Sequence, residues 1–255
     1  MDKIIRAIKS MHIGYRLENH AISIICYADD AVLIAESEND IQRLLFKFQQ
    51  TAEQLNMLIS AEKTKALVIS KDPIRCKLMT YNKTIKQVMS FQYLGAEISS
   101  CKNIAREVQY QANKASVVAG YLRDVIWKNK FMLLENKVRI YKTRVRPILT
   151  YSAETRAETS RTKQMARKTE MRMLSEITGY SLGNRIRSEA IREECNIQDV
   201  VRWTRSRRRY WRDHVERMPS NSITKIASIE RPQTRRPIGR PPKRWRESWV
   251  STSQE

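Results

Sequence analysis

The chain has 255 residues and a mass of 30.0 kDa, enough for one large domain or two small ones with a real core. Forty-eight Lys/Arg stand against 27 Asp/Glu, a formal charge of +21 that favours polyanions such as nucleic acid or an anionic surface. The scattered Cys26, Cys76, Cys101 and Cys195 argue against a disulfide framework or zinc knuckle and for reduced core thiols. No apolar run or signal core suggests a membrane span or secretion, so an intracellular protein of nucleus or cytoplasm is expected.

The charge is graded along the chain. Residues 1–100 hold 13 basic and 11 acidic side chains, residues 101–200 hold 20 and 11, and residues 201–255 hold 15 and 5. In chain order, Ile4, Ile5, Ile8 and Met11 mark a short helix ended by Gly14. Ile22–Tyr27 and Ala31–Ala35 read as two strands joined by a turn at Ala28-Asp29-Asp30. Ser37 caps a helix with Ile41, Leu44, Leu45, Phe48, Ala52 and Leu55 on one face, and Asn56 stops it. A strand is predicted over 66–70, a hairpin over 76–88 turning at Asn82-Lys83, and another over 91–99 bending near Gly95.

From residue 103 the pattern becomes helical. One helix carries Ile104, Val108, Ala112, Ala115, Ala119 and Leu122. A second runs from 132 to 146 and ends at Pro147. A third follows Thr162 to Ile177 with Gly179 as its stop, a short fourth covers 187–195, and a fifth runs from Val201 to Pro219. Residues 220–255 are rich in Pro, Gly and Arg and are expected to be mostly flexible, with a short helix near 245–250. The fold class is therefore α+β: hairpins and one helix over 1–99, an all-α region over 100–219 and a basic tail over 220–255.

Asp29 and Asp30 sit between two apolar runs, where charge is unusual. Two carboxylates at a hairpin tip can share divalent cations, the arrangement phosphoryl transfer needs; a plain polar turn is the competing reading. "YADD" (27–30), "AEKTKALVIS" (61–70) and "FQYLGAEIS" (91–99) follow one another with a helix between the first two. In that order and spacing they resemble motifs C, D and E of a reverse transcriptase of the non-LTR retrotransposon type. The resemblance covers about residues 14–99, with "VRPILTYSAET" and "YWRDHVERMP" as looser echoes in a thumb-like region. Arg156 stands there in place of an expected aromatic.

The resemblance implies two-metal nucleotidyl transfer with Mg²⁺ or Mn²⁺ and dNTP, on an RNA template and DNA primer. Asp29 and Asp30 would bind metal, Tyr27 would lie near the primer end and the nucleotide, and Lys63 would donate a proton to pyrophosphate. Phe91, Tyr93, Leu94 and Gly95 would grip the primer backbone. The bland readings are a core aromatic, a solvated lysine and ordinary hairpin packing. A third metal-binding Asp is expected before motif C, yet only 28 residues precede Asp29, and their Asp2 and Glu18 lie in a helix start and a turn. The chain is therefore expected to begin inside the palm, without motifs A and B or the fingers, and to be inactive by itself.

The segment "RWTRSRRRYWRDH" interleaves Arg205, Arg207, Arg208 and Arg209 with Trp203, Tyr210 and Trp211, a pattern suited to an RNA–DNA duplex or to unpaired bases. Trp211 falls on the apolar face and is expected in the core. Arg240 lies in a Gly-Arg-Pro context like that of minor-groove segments. A non-catalytic nucleic-acid-binding protein derived from such an element is the alternative function, and a decayed genomic fragment is a third reading.

Overall fold

A computed structural model describes residues 1–70, 72, 74–101 and 103–230, the side chain of Leu182 excepted. Arg240, the expected helix near 245–250 and all of the expected 220–255 tail beyond residue 230 lie outside the described residues. The chain divides into two compact units. Of the described residues, 1–92, 98–101 and 217–230 form the first, and 93–97 with 103–216 form the second.

The first unit mixes helices with short strands, as α+β requires. Helix α1 (Asp2–Lys9) is followed by β1 (Tyr15–Arg16) and β2 (Ala21–Ile22), then by the hairpin β3 (Ile24–Tyr27) and β4 (Asp30–Leu33). Gly14 is required where it stands, because a Cβ there would lie 2.7 Å from the Ile22 carbonyl oxygen. Helix α2 (Glu38–Glu53) begins where expected: the Ser37 hydroxyl accepts the Asp40 N–H at 3.1 Å. The helix is buried along two lines. Leu44 and Ala52 pack with Ile4, Ile8 and Ile24, while Leu45 packs with Ala66, Leu78 and Ile85.

The remaining strands are shorter than the sequence predicts. The 66–70 segment keeps only β5 (Lys65–Ala66). The second hairpin is β6 (Met79–Thr80) with β7 (Lys83–Thr84), and it turns at Tyr81-Asn82. Both turn residues have positive φ, 48° and 59°, as the favoured two-residue hairpin turn demands. The turn thus falls one residue before the predicted one. Strand β8 (Lys86–Gln87) then pairs in parallel with β5. Strands β9 (Ser90–Tyr93) and β10 (Ala96–Ser99) form the last hairpin, with Leu94 and Gly95 at its turn. Every sheet among the described residues is two-stranded.

The second unit is helical: α3 (Ile104–Tyr121), α4 (Leu134–Ile140), α5 (Arg146–Leu149), α6 (Ser160–Thr178), α7 (Ser188–Glu194) and α8 (Val200–Arg217). Two π-turns, Arg123–Trp127 and Tyr141–Val145, interrupt the regular pattern. Pro147 does not end the second helix as the sequence suggested. It lacks the N–H that Thr143 would accept from, and the π-turn before it shifts the bonding so that Arg146 N–H reaches Tyr141 instead. Pro147 then falls in the first turn of α5. Helix α6 ends as predicted, with Gly179 closing it at φ 78°; its start is set by a reciprocal cap between Thr159 and Thr162 that the sequence reading did not name. Ala115, Tyr141, Val145, Leu149, Leu174 and Val200 form the centre of one core. Helix α9 (Ile223–Ile229) belongs to the first unit, where Glu230 accepts hydrogen bonds from His20 and the Asn19 N–H.

Candidate functional site

The β3–β4 register fixes where the paired acids lie. Ile24 faces Leu33, Cys26 faces Ala31, and Tyr27 faces Asp30. Partners across a ladder share a face, and alternate residues point to opposite faces. Ile24 is buried and Cys26 partly so, which makes theirs the core face. Tyr27, 64% exposed, and Asp30 lie on the solvent face with Ile25 and Val32. Asp30 is therefore the first residue of the return strand, not part of the turn. The two turn residues are Ala28 and Asp29, and Ala28 has φ 50°. Glycine normally takes that place in a two-residue hairpin; a Cβ there costs roughly 1–2 kcal/mol.

Both aspartates are exposed, and neither side chain makes a hydrogen bond or salt bridge among the described residues. Mg²⁺ accepts one or two carboxylates and completes its shell with water and phosphate oxygens, so the pair fits one edge of such a site. Among the described residues no group of three or more His, Cys, Asp or Glu side chains is placed to hold a metal ion.

Lys63 is exposed in a turn before β5, shaped by Ser60: the Ser60 carbonyl accepts from the Thr64 N–H at 2.9 Å and the Thr64 hydroxyl at 2.8 Å. No hydrogen bond or salt bridge joins Lys63 to either aspartate among the described residues. The turn of the β9–β10 hairpin has φ 49° at Leu94 and 80° at Gly95. Two side chains that the sequence did not single out hold it. Gln111 donates to the Gly95 carbonyl at 2.9 Å, and Tyr151 donates to the Leu94 carbonyl. The φ of Gly95 favours glycine, and a Cβ there would come within 3.2 Å of the Tyr151 ring, which would have to give by a few tenths of an ångström. Tyr151 lies inside "VRPILTYSAET", the signal that was available. Phe91 and Leu94 are exposed, and Tyr93 is half-buried.

The basic helix α8 is largely committed to its own unit. Arg208 is only 2% exposed; it donates to the carbonyls of Ala153 at 3.0 Å and Arg156 at 3.3 Å and pairs with Glu158 at 3.3 Å. Arg205 also pairs with Glu158 and is half-buried, whereas Arg207, paired with Glu154, and Arg209 are exposed. Trp203 is half-buried, with the Arg146 guanidinium 4.6 Å from its ring centre on one contact and Arg207 at 5.9 Å on another. Trp211, expected in the core, is only half-buried and leans on His214. Arg156 has a partner for its unexpected charge: it pairs with the buried Glu107.

Glu170 carries the most perturbed acid of the unit. It is fully buried and accepts from Arg192 at 3.1 Å and the Val200 N–H at 3.2 Å. Burial pushes its pKa up to about 6, against the opposing pull of Arg192 and the Val200 N–H. Burial also pushes Tyr141 well above the usual phenol range, helped by the Glu170 charge. For Asp199 burial acts upward too, but bonds from Arg167 and the Arg202 N–H, with the charges of Arg167 and Arg192, hold it below the ordinary value. The thiols differ from the expected set: Cys195 is buried, with burial pushing its pKa up to about 11, but Cys101 is exposed.

Residues 1–98 match the family model described as "Reverse transcriptase (RNA-dependent DNA polymerase)". A transposon-derived protein of Caenorhabditis elegans is 25% identical over 244 residues, which cover 91% of this chain and 86% of the relative. No solved structure matches the chain at a significant level. No helix among the described residues is long and apolar enough to cross a membrane.

Proposed function

We propose that residues 1–98 are a reverse-transcriptase palm segment of the non-LTR retrotransposon type, in which Asp29 and Asp30 hold a divalent cation against nucleotide phosphates. The observation that carries this is the hairpin tip, which presents two adjacent carboxylates to solvent with no hydrogen bond or salt bridge among the described residues, on a turn that alanine adopts only at a cost. Tyr27, across the ladder from Asp30, would border the primer end and the incoming dNTP. Lys63 would serve the leaving pyrophosphate as proton donor, and Phe91 to Gly95 would hold the primer backbone. With Mg²⁺ or Mn²⁺ held by Asp29 and Asp30, the site would gain a means to lower the pKa of an attacking hydroxyl and to steady the leaving group.

The chain by itself is proposed not to extend a primer, because its described residues bring no third acid to the pair. Two measurements test this reading. Water-proton relaxation of Mn²⁺ with dNTP and an RNA–DNA primer-template is expected to show an enhancement that Asp29→Ala/Asp30→Ala removes; equal enhancement in both proteins would overturn the metal assignment. Template-dependent extension by the intact protein, lost in Asp29→Ala, would overturn its inactivity.

A second reading, a non-catalytic nucleic-acid-binding protein of the nucleus or cytoplasm, is favoured by the charge gradient and by exposed Arg207 and Arg209. Its mark is affinity for an RNA–DNA duplex that falls steeply with salt.

A further inference from the structure

Helix α3 continues into the first π-turn, and together they carry an unusual outer face. Lys114, Val117, Tyr121, Val125 and Lys128 follow at spacings of three and four, so they share one side of the rod. The inner side is buried through Ala112, Ala115, Ala119 and Trp127, the last donating from its indole to the Ala119 carbonyl at 2.9 Å. The outer side is left open: Tyr121 is 79% exposed, Val125 69% and Val117 56%. The loop that follows adds Phe131, 99% exposed, and Leu133, 70% exposed. Beside Tyr121, a Cβ on Gly120 would meet nothing within 4 Å, so the space at that position is open.

Apolar surface of this kind needs an occupant, and the charge of the chain segment that carries it selects one. Residues 114–144 carry eight Lys/Arg and two Asp/Glu. The side chains of Arg123, Lys130, Arg139 and Arg144 are exposed and make no hydrogen bond or salt bridge among the described residues. One of the two acids, Asp124, is already paired with Lys128 at 2.6 Å. An uncommitted cationic field with solvent-facing rings matches a polyanion that also offers aromatic faces. A duplex hides its base faces, and an interfacial membrane helix needs one continuous apolar helix face, whereas here three apolar side chains on the rod are bracketed by lysines and the other two lie in a loop.

We infer that this face of α3 and the loop after it bind unpaired nucleic acid, with bases stacking on Tyr121 and Phe131 and phosphates meeting the surrounding lysines and arginines. From 114 to 128 the rod spans roughly 21 Å, or about six stacked nucleotides at 3.4 Å each. The surface extends the nucleic-acid reading above and is independent of the aspartate pair.

The test is fluorescence anisotropy of the full chain with labelled 12-nucleotide dT and rU strands, the same length of duplex, and vesicles containing phosphatidylserine. Each ring lost is expected to weaken single-strand binding about tenfold, the usual worth of one stacked base at the low end of its range. Tyr121→Ala and Phe131→Ala should each show this, while Tyr121→Phe and Phe131→Trp retain affinity; duplex binding should change less than threefold. Because both rings are exposed, unchanged melting temperatures would separate lost contacts from lost fold. Asp29→Ala/Asp30→Ala should bind single strands as the parent does, so failure of the metal assignment leaves this result standing. Equal single-strand affinity in parent and Tyr121→Ala/Phe131→Ala, ring-dependent binding to vesicles but not to strands, or ring-dependent self-association with no strand binding would each overturn the proposal.

Discussion

Carboxylates lead different lives in the two units. In the first, Asp29 and Asp30 stand at an exposed tip and make no hydrogen bond or salt bridge among the described residues. In the second, Glu107, Glu170 and Asp199 are drawn inward and answered by Arg156, Arg192 and Arg167. The cores differ in the same sense. Short ladders and a helix buried along two lines make small clusters in the first unit, whereas a continuous core joins the helices of the second. A buried carboxylate is a structural part whose loss strands its partner. An unengaged one at a strained turn is free to take a ligand from outside.

The contrast is broken most severely by removing one member of a buried pair. Arg192→Met should cost about 3–5 kcal/mol, because Glu170 is left without its main partner; Glu170→Leu/Arg192→Met should recover much of the loss. Urea unfolding followed through the helical signal measures both, and an equal cost in the single and double variants would deny the coupling.

Titration sharpens the same point. Glu170 keeps its proton up to about pH 6 in the folded chain, against an ordinary value of 4.5. The folded state binds more protons in that window, so stability should fall as pH rises from 4.5 to 6, by about 2 kcal/mol for this group. Unfolding free energies across that range check it; in Glu170→Gln this part of the slope should vanish.

At the exposed tip the effects are smaller. Ala28→Gly should relieve the positive φ and stabilise the first unit by about 1 kcal/mol. Asp29→Ala should change stability by less than about 0.5 kcal/mol, the usual range for a surface side chain without partners. Amide exchange over residues 22–35 reads both. A loss above about 2 kcal/mol in Asp29→Ala would show that the acid has a structural task.

Elements whose signals lie within a turn of chain were legible. Ser37 announced the start of α2, Gly179 the end of α6, and the hairpin around Ala28 followed from two apolar runs. Misreadings arose where local rules competed. Pro147 ends a helix only if the bonding stays in i→i−4 register, and the π-turn before it changes that register. The 66–70 segment has strand-like residues but pairs only through Lys65–Ala66. In α8 the regular interleaving of Arg with aromatics suggested one exposed basic face. Arg208 nevertheless turns inward to satisfy the carbonyls of the 153–156 loop, and Arg146 covers part of Trp203.

The sequence alone determined the charge gradient, the order of the three motifs, the Ser37 cap, the Gly179 stop and the acid pair at a hairpin tip, because these depend on neighbours a few residues apart. Only the tertiary structure decided which charges face water and which lie beneath it. Glu107 meets Arg156 and Glu170 meets Arg192 across long stretches of chain, and Tyr121 remains outside although its helix is otherwise well packed. Desolvation follows the neighbours that folding supplies in space, so the cost of a buried charge and the availability of an exposed ring are properties of the packed chain.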